Sequence, residues 1–136
     1  MKRYVYPMLL VTMLLALACR SAWNGPQADD KTVVARHGQL RVSGTALLDA
    51  HGDTLALHGV SLGWHNWWPR FYQAHTIDWL QRDWNIQVVR AAIGVEPDQA
   101  YLQNPEAALK QLYTVVDAAI AAGIYVIVDW HAHQLH

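Results

Sequence analysis

Three short apolar runs alternate with two amphipathic stretches from residue 58 onward, and this alternation constrains the fold more than any other feature. His58-Gly59-Val60-Ser61-Leu62-Gly63 predicts a buried strand near 59–63. Ile86-Gln87-Val88-Val89-Arg90-Ala91-Ala92-Ile93 predicts a second near 87–93, and Ile124-Tyr125-Val126-Ile127-Val128 a third near 124–129. Between the first two, Thr76 is the expected N-cap of a helix through Trp84, with Ile77, Leu80 and Trp84 on one face. Between the second and third, Asn104 caps a helix, Pro105 takes its first position, Glu106 lies in its first turn and Gly123 stops it. Its apolar stripe is expected through Leu109, Leu112, Val116, Ala119 and Ile120. Apolar strands alternating with amphipathic helices give a parallel sheet with helices over its face.

Upstream, the pattern from Val33 reads as short strands. Gln39-Leu40-Arg41-Val42 alternates, Ser43-Gly44 turns the chain, and Ala46-Leu47-Leu48 follows. Asp49-Ala50-His51-Gly52-Asp53 is a polar turn before Thr54-Leu55-Ala56-Leu57, so a hairpin is expected. His51 and His58 are turn and strand-edge residues without chemistry. There is no internal repeat and no low-complexity tract. Doubly wound sheets and barrels both begin with such units, and the leading hairpin and the polar strand ends favour a barrel. The expected fold class is α/β, the N-terminal part of a (β/α)₈ TIM barrel: a hairpin, three strands and two helices. The 136 residues fall far below the roughly 250 of a whole barrel.

The first segment reads as an address. Lys2 and Arg3 precede an uncharged, mostly apolar run from Tyr4 to Ala18, shorter than the ~20 residues of a transmembrane helix. A basic start, a short apolar stretch and small residues at its end describe a secretory signal peptide over 1–18. Cys19, the sole cysteine, follows Leu15-Ala16-Leu17-Ala18 and resembles the acylated cysteine of a bacterial lipobox, with Ala16 where Leu is usual. Cleavage after Ala16-Leu17-Ala18, giving plain secretion, and an uncleaved anchor are the alternatives. Residues 19–37 are expected to form a polar tether, with Asn24-Gly25-Pro26 and Asp29-Asp30 in it, and 38–136 the folded domain.

A formal net charge of −1 provides no basic field for nucleic acid. Seven Trp and six Tyr stand against one Phe, and these side chains combine a flat apolar face with a polar handle, as sugars require. Their placement sharpens the point. In a (β/α)₈ barrel, chemistry collects at the C-terminal ends of the strands. Those ends carry Trp64-His65-Asn66-Trp67-Trp68, then Arg90, then Asp129-Trp130-His131-Ala132-His133. Arg90 has a fixed charge and forked donors suited to holding a carboxylate ionised. His131 can both give and accept hydrogen bonds to sugar hydroxyls. Asp129 is expected to be a structural acceptor, and Glu96 and Asp98 solvated loop residues.

The same residues resemble glycoside hydrolase family 5 cellulases. Leu40-Arg41-Val42 through Leu57-His58-Gly59-Val60-Ser61 is similar to their hairpin and first strand. Asp83-Trp84-Asn85-Ile86 with Val88-Val89-Arg90-Ala91-Ala92 resembles their second-strand signature, and Tyr101-Leu102-Gln103-Asn104-Pro105 the entry to their second helix. Ala118-Ala119-Ile120 with Gly123 through His131 resembles the third-strand block. The resemblance implies retaining hydrolysis of a β-1,4-glucan, with no cofactor and a monomeric enzyme. It implies that Arg90 orients the nucleophilic glutamate, that His131 contacts glucose beside the scissile bond, and that Trp67 stacks a more distant ring. Trp64 and His133 are further candidate substrate contacts. The family's acid/base glutamate follows strand four and its nucleophile strand seven, so this chain as given is expected to be inactive. Two positions depart from the pattern: Gly63 stands where some members have His, and Gly94 where they have Tyr.

Two other readings compete. Val128-Asp129-Trp130-His131-Ala132-His133 also resembles the Asp-x-His-x-His strand end of metal-dependent amidohydrolases, whose two His would have to reach one metal. Those enzymes carry the motif on their first barrel strand, and Arg90 and the Trp cluster go unexplained. A non-catalytic sugar-binding module explains the Trp residues but not the apolar parallel strands.

Overall fold

A computed structural model describes residues 32–96 and 98–134. The expected signal segment, Cys19 and the tether up to residue 31 lie outside these residues. The first described element departs from expectation. Val33–His37 is a short helix, α1, where the end of the tether and the start of the short strands were anticipated. Thr32 caps it through Oγ1, which accepts from the Ala35 amide at 3.2 Å. Val33 is buried, and the Val34 amide donates to the Gly123 carbonyl at 3.0 Å. Docking against the sheet's N-terminal end thus overrides the β-preference of two adjacent valines, a weak preference in any case.

The hairpin closes one turn earlier than a reading centred on Asp49–Asp53 suggests. Strand β1 (Arg41–Ser43) pairs antiparallel with β2 (Ala46–Leu48), Val42 opposite Leu47. Thr54–Leu57 contributes only a single bridge, Thr54 to Leu48. Asp49 shapes the turn between them. Its Oδ1 accepts from the amides of His51 (2.9 Å) and Asp53 (3.0 Å), the local bonding that draws Asp into turns. Its Oδ2 pairs with His37 Nδ1 at 3.1 Å, and this hydrogen bond, with those from the turn amides, holds the buried Asp49 carboxyl below its usual range. Tyr125 Oη donates to the Gly38 carbonyl at 2.6 Å, which fixes the approach to the hairpin at the start of the last strand.

Strands β3 (Gly59–Trp64), β4 (Val88–Gly94) and β5 (Tyr125–His131) form one parallel sheet in that order. Helix α2 (Ala74–Trp84) links the first pair and α3 (Pro105–Ala122) the second. α2 begins two residues before the expected cap. Gln73 occupies the cap position without a side-chain bond, and Thr76 lies inside the first turn. Ile77 and Leu80 are buried as expected, whereas Trp84 is 62% exposed. α3 keeps its expected ends, with Asn104 Oδ1 accepting from the Ala107 amide. Its buried stripe, however, runs through Ala108, Val115 and Ala119 with Leu112 packed alongside, and Ile120 is 69% exposed. Small side chains let the helix approach closely, which a ranking by apolar size misses.

Register assigns the two faces of the sheet. Partners across a parallel pair share a face, so Ser61, Arg90 and Ile127 lie on one side, with Ala92, Asp129, Gly94 and His131 further along. Val60, Leu62, Val89, Ala91, Ile93 and Val126 point the other way and meet the helices. The helices therefore cover one face, and the polar residues gather toward the C-terminal end of the other.

Candidate functional site

Arg90 lies centrally on the open face. Its Nη1 donates to Ser61 Oγ at 2.8 Å and its Nη2 to Asp129 Oδ2 at 2.5 Å. His131 Nδ1 lies 2.9 Å from that same oxygen and 3.0 Å from Arg90 Nη2. With Nδ1 turned to Asp129 and Arg90, Nε2 is the imidazole's other functional atom. One carboxylate thus orients a guanidinium and an imidazole together. Arg90 was expected to hold a carboxylate ionised, and Asp129 is the carboxylate within its reach here. Arg90 comes from β4 and Asp129 and His131 from β5, whose register sets Asp129 beside Ala92 and His131 beside Gly94 on Arg90's face, which the spacing in sequence does not reveal.

The aromatic residues sort by burial. Trp67 is 58% exposed and stacks on Trp64, ring centroids 4.4 Å apart and planes 13° from parallel. Trp64 itself is 8% exposed, with His131 at 4.7 Å and His133 at 5.0 Å from its centroid. Trp64 was expected to touch substrate directly. Its ring is in contact with these three neighbours, and of the two stacked indoles Trp67 is the exposed one. His133 reaches the cluster, its ring 5.7 Å from that of His131. Beyond them, Arg70 sits over the rings of Trp68 and Phe71 at 5.2 and 4.8 Å.

Four supporting residues were not singled out by sequence. The pairing of β3 with β4 slips between Ser61 and Trp64, where Gly63 has φ +75°. Tyr72 stitches this irregularity: its hydroxyl lies 2.7 Å from the Gly63 carbonyl and 2.8 Å from that of Ala92. Burial pushes the Tyr72 hydroxyl's pKa upward, so it stays a donor. His65 is 2% exposed and accepts the Gly94 amide at Nδ1 (3.2 Å), and burial lowers its pKa. Ser61 anchors Arg90. Glu96, expected to be merely solvated, accepts the amides of His133 (2.9 Å) and Gln134 (2.8 Å) through Oε1 and so ties down the segment after β5. Only local signals, a lone buried Tyr or an acidic loop residue, mark these positions in sequence. The pairing partners are 9 to 38 residues away.

The comparisons with known proteins fit this geometry. Residues 48–136 match the model for Cellulase (glycosyl hydrolase family 5). The chain belongs to glycosyl hydrolase family 5. Endoglucanase E-5 of Thermobifida fusca is 35% identical over 107 residues, covering 79% of this chain and 23% of that protein. Endoglucanase Z of Dickeya dadantii is 45% identical over 79 residues, 56% of this chain and 18% of that one. The chain therefore spans about a quarter or less of the curated relatives it matches. Among solved structures, one from Cytophaga hutchinsonii superposes with TM-score 0.74 and 46% identity, over 76% of this chain and 34% of that one. A variant of the T. fusca endoglucanase catalytic domain, solved in complex with cellotetraose, gives 0.68 and 34% over 74% and 32%. The family 5 assignment sets aside the amidohydrolase reading. Arg90 gives the physical reason, since its fixed cation stands 3.0 Å from the His131 nitrogen that faces Asp129. The parallel α/β sheet likewise tells against the non-catalytic sugar-binding module, which left the parallel strands unexplained.

Proposed function

We propose that the protein carrying this segment is an exported endo-β-1,4-glucanase that cleaves cellulose or a related β-glucan with retention. The observation that supports it is the joint placement of Arg90, Asp129 and His131 beside the exposed face of Trp67 at the C-terminal end of a parallel sheet. Retaining hydrolysis uses one carboxyl to attack the anomeric carbon and another to protonate the leaving oxygen, the pair roughly 5 Å apart. In this reading Arg90 orients the attacking carboxylate and keeps it charged. His131, set by Asp129, offers Nε2 to a sugar hydroxyl. Trp67 stacks a ring further along the chain of sugars, and His133 borders the same groove. Neither reacting carboxyl belongs to residues 1–136.

Export through the segment 1–18, followed by acylation of Cys19, completes the proposal. Lys2, Arg3, the apolar run and the small residues before Cys19 support it. Labelled palmitate should enter the wild-type chain in a bacterial host and not a Cys19→Ala variant. The sugar reading is tested by titrating cellotetraose while following tryptophan fluorescence. A saturable response that vanishes in Trp67→Ala is expected, and an absent wild-type response would sink the reading.

A further inference from the structure

Trp64 lies at the meeting point of the site's parts. One ring touches the platform Trp67, the imidazole of His131 and that of His133. Its bed is Gly94, the last residue of β4, which pairs with His131. A Cβ placed on Gly94 would stand 2.9 Å from Trp64 Cε3 and 2.9 Å from Asn66 Oδ1. Real side-chain carbons do not approach so closely, and a tryptophan stacked on its other neighbours cannot yield freely. Gly94 lies within β4, so its lack of a side chain is used for space and not for backbone freedom.

We propose that Trp64 is the positioning residue of the sugar site, seated over Gly94 so that one buried ring sets both the Trp67 platform and the His131 imidazole. This rests on the sugar-binding reading above and adds to it the element that holds the two contacts in register. Trp64 touches no sugar itself. Its effect passes through Trp67, whose plane it fixes by near-parallel stacking, and through His131, whose ring it meets at 4.7 Å and 55°.

The test uses the full polypeptide carrying these residues, with Gly94→Ala, Trp64→Leu, Trp64→Phe and the double variant Gly94→Ala/Trp64→Leu. Two readouts are taken, the imidazole and indole NMR resonances of His131 and Trp67, and the dissociation constant for cellotetraose. Circular dichroism identifies any variant that fails to fold, and Trp64→Phe then carries the comparison. Gly94→Ala and Trp64→Leu should displace both sets of resonances and weaken binding about three- to tenfold. Trp64→Phe should recover most of that loss. In the Trp64→Leu background, Gly94→Ala should cost clearly less than it does alone, because the ring it would strike is gone and only the contact with Asn66 Oδ1 remains. Unmoved His131 and Trp67 resonances in a folded Trp64→Leu protein overturn the proposal, as do strictly additive losses in the double variant. Failure of the wild type to bind cellotetraose removes the sugar reading alone. The resonances then still decide whether Trp64 positions the two rings.

Discussion

His65 accepts the Gly94 amide at Nδ1, so its proton resides on Nε2, and its burial opposes gaining a second. The unfolded chain binds that second proton near the ordinary value of 6.5, the native state only at lower pH. Where the unfolded state holds more protons, stability falls as pH falls. The contribution of His65 is therefore fully present above about 6.5 and is lost as pH drops from there toward the lower native value. Asp49 acts in a separate window: its depressed carboxyl contributes above its ordinary 3.8 and fails as pH falls through the native value below that. We expect the thermal midpoint of the folded protein to decline between pH 7 and pH 5, and His65→Gln, which retains an acceptor for Gly94, to flatten that decline. Equal pH slopes in the two proteins would refute it. Arg90 and His131 were legible as candidate site residues because a charge and an imidazole at the ends of apolar strands have few structural reasons to be there. Trp64 was legible as aromatic and near the site, yet its burial depends on a glycine 30 positions later, and no local pattern carries that.

At the scale of elements, the three strands and the second helix were readable because each has its own signal: β-rich runs, an Asn-Pro start, a glycine stop. The exceptions share a cause. α1 forms where Val33 finds burial against the sheet, and α3 turns its alanines inward where close packing is available. Both depend on neighbours distant in sequence. The slip in β3 is of the same kind, since it is held by Tyr72 from beyond the strand. Tyr72→Phe keeps the ring and removes the donor, leaving the Gly63 carbonyl without this partner. The Ala92 carbonyl still accepts the His65 amide at 3.1 Å. We expect a destabilisation of about 1–3 kcal/mol, the usual cost of depriving a buried group of its partner. Amide exchange should quicken at Trp64 and His65 more than in β5. A uniform quickening across all three strands would instead mean that the hydroxyl stabilises the sheet as a whole and has no special hold on the slip.

For the whole molecule, the surface next to the site is incomplete as a catalyst and costly as an exterior. Ile127, Val128 and Trp130 of β5 are exposed, as are Trp79 and Trp84 of α2, and β3 and β5 each have one edge unpaired among the described residues. Exposed apolar patches and free strand edges favour association, so residues 1–136 alone should be poorly soluble. The same fragment should not hydrolyse cellulose. Two carboxyls must flank one glycosidic bond, one attacking and one held protonated. On the open face the described carboxylate is Asp129, already committed to Arg90 and His131, while Glu96 is turned to the amides of His133 and Gln134. Converting Asp129 into a nucleophile would break the contacts that orient both partners. The measurement is release of reducing ends from carboxymethyl cellulose by purified residues 1–136, beside a chain extended through eight strands. We expect no turnover above background from the shorter chain, and turnover by the longer one that falls by orders of magnitude in Arg90→Ala, since its attacking carboxylate would lose the cation that keeps it charged. Turnover by the shorter chain that disappears in Arg90→Ala would require a carboxyl pair within these residues, and would overturn the assignment of Asp129 as a purely orienting group.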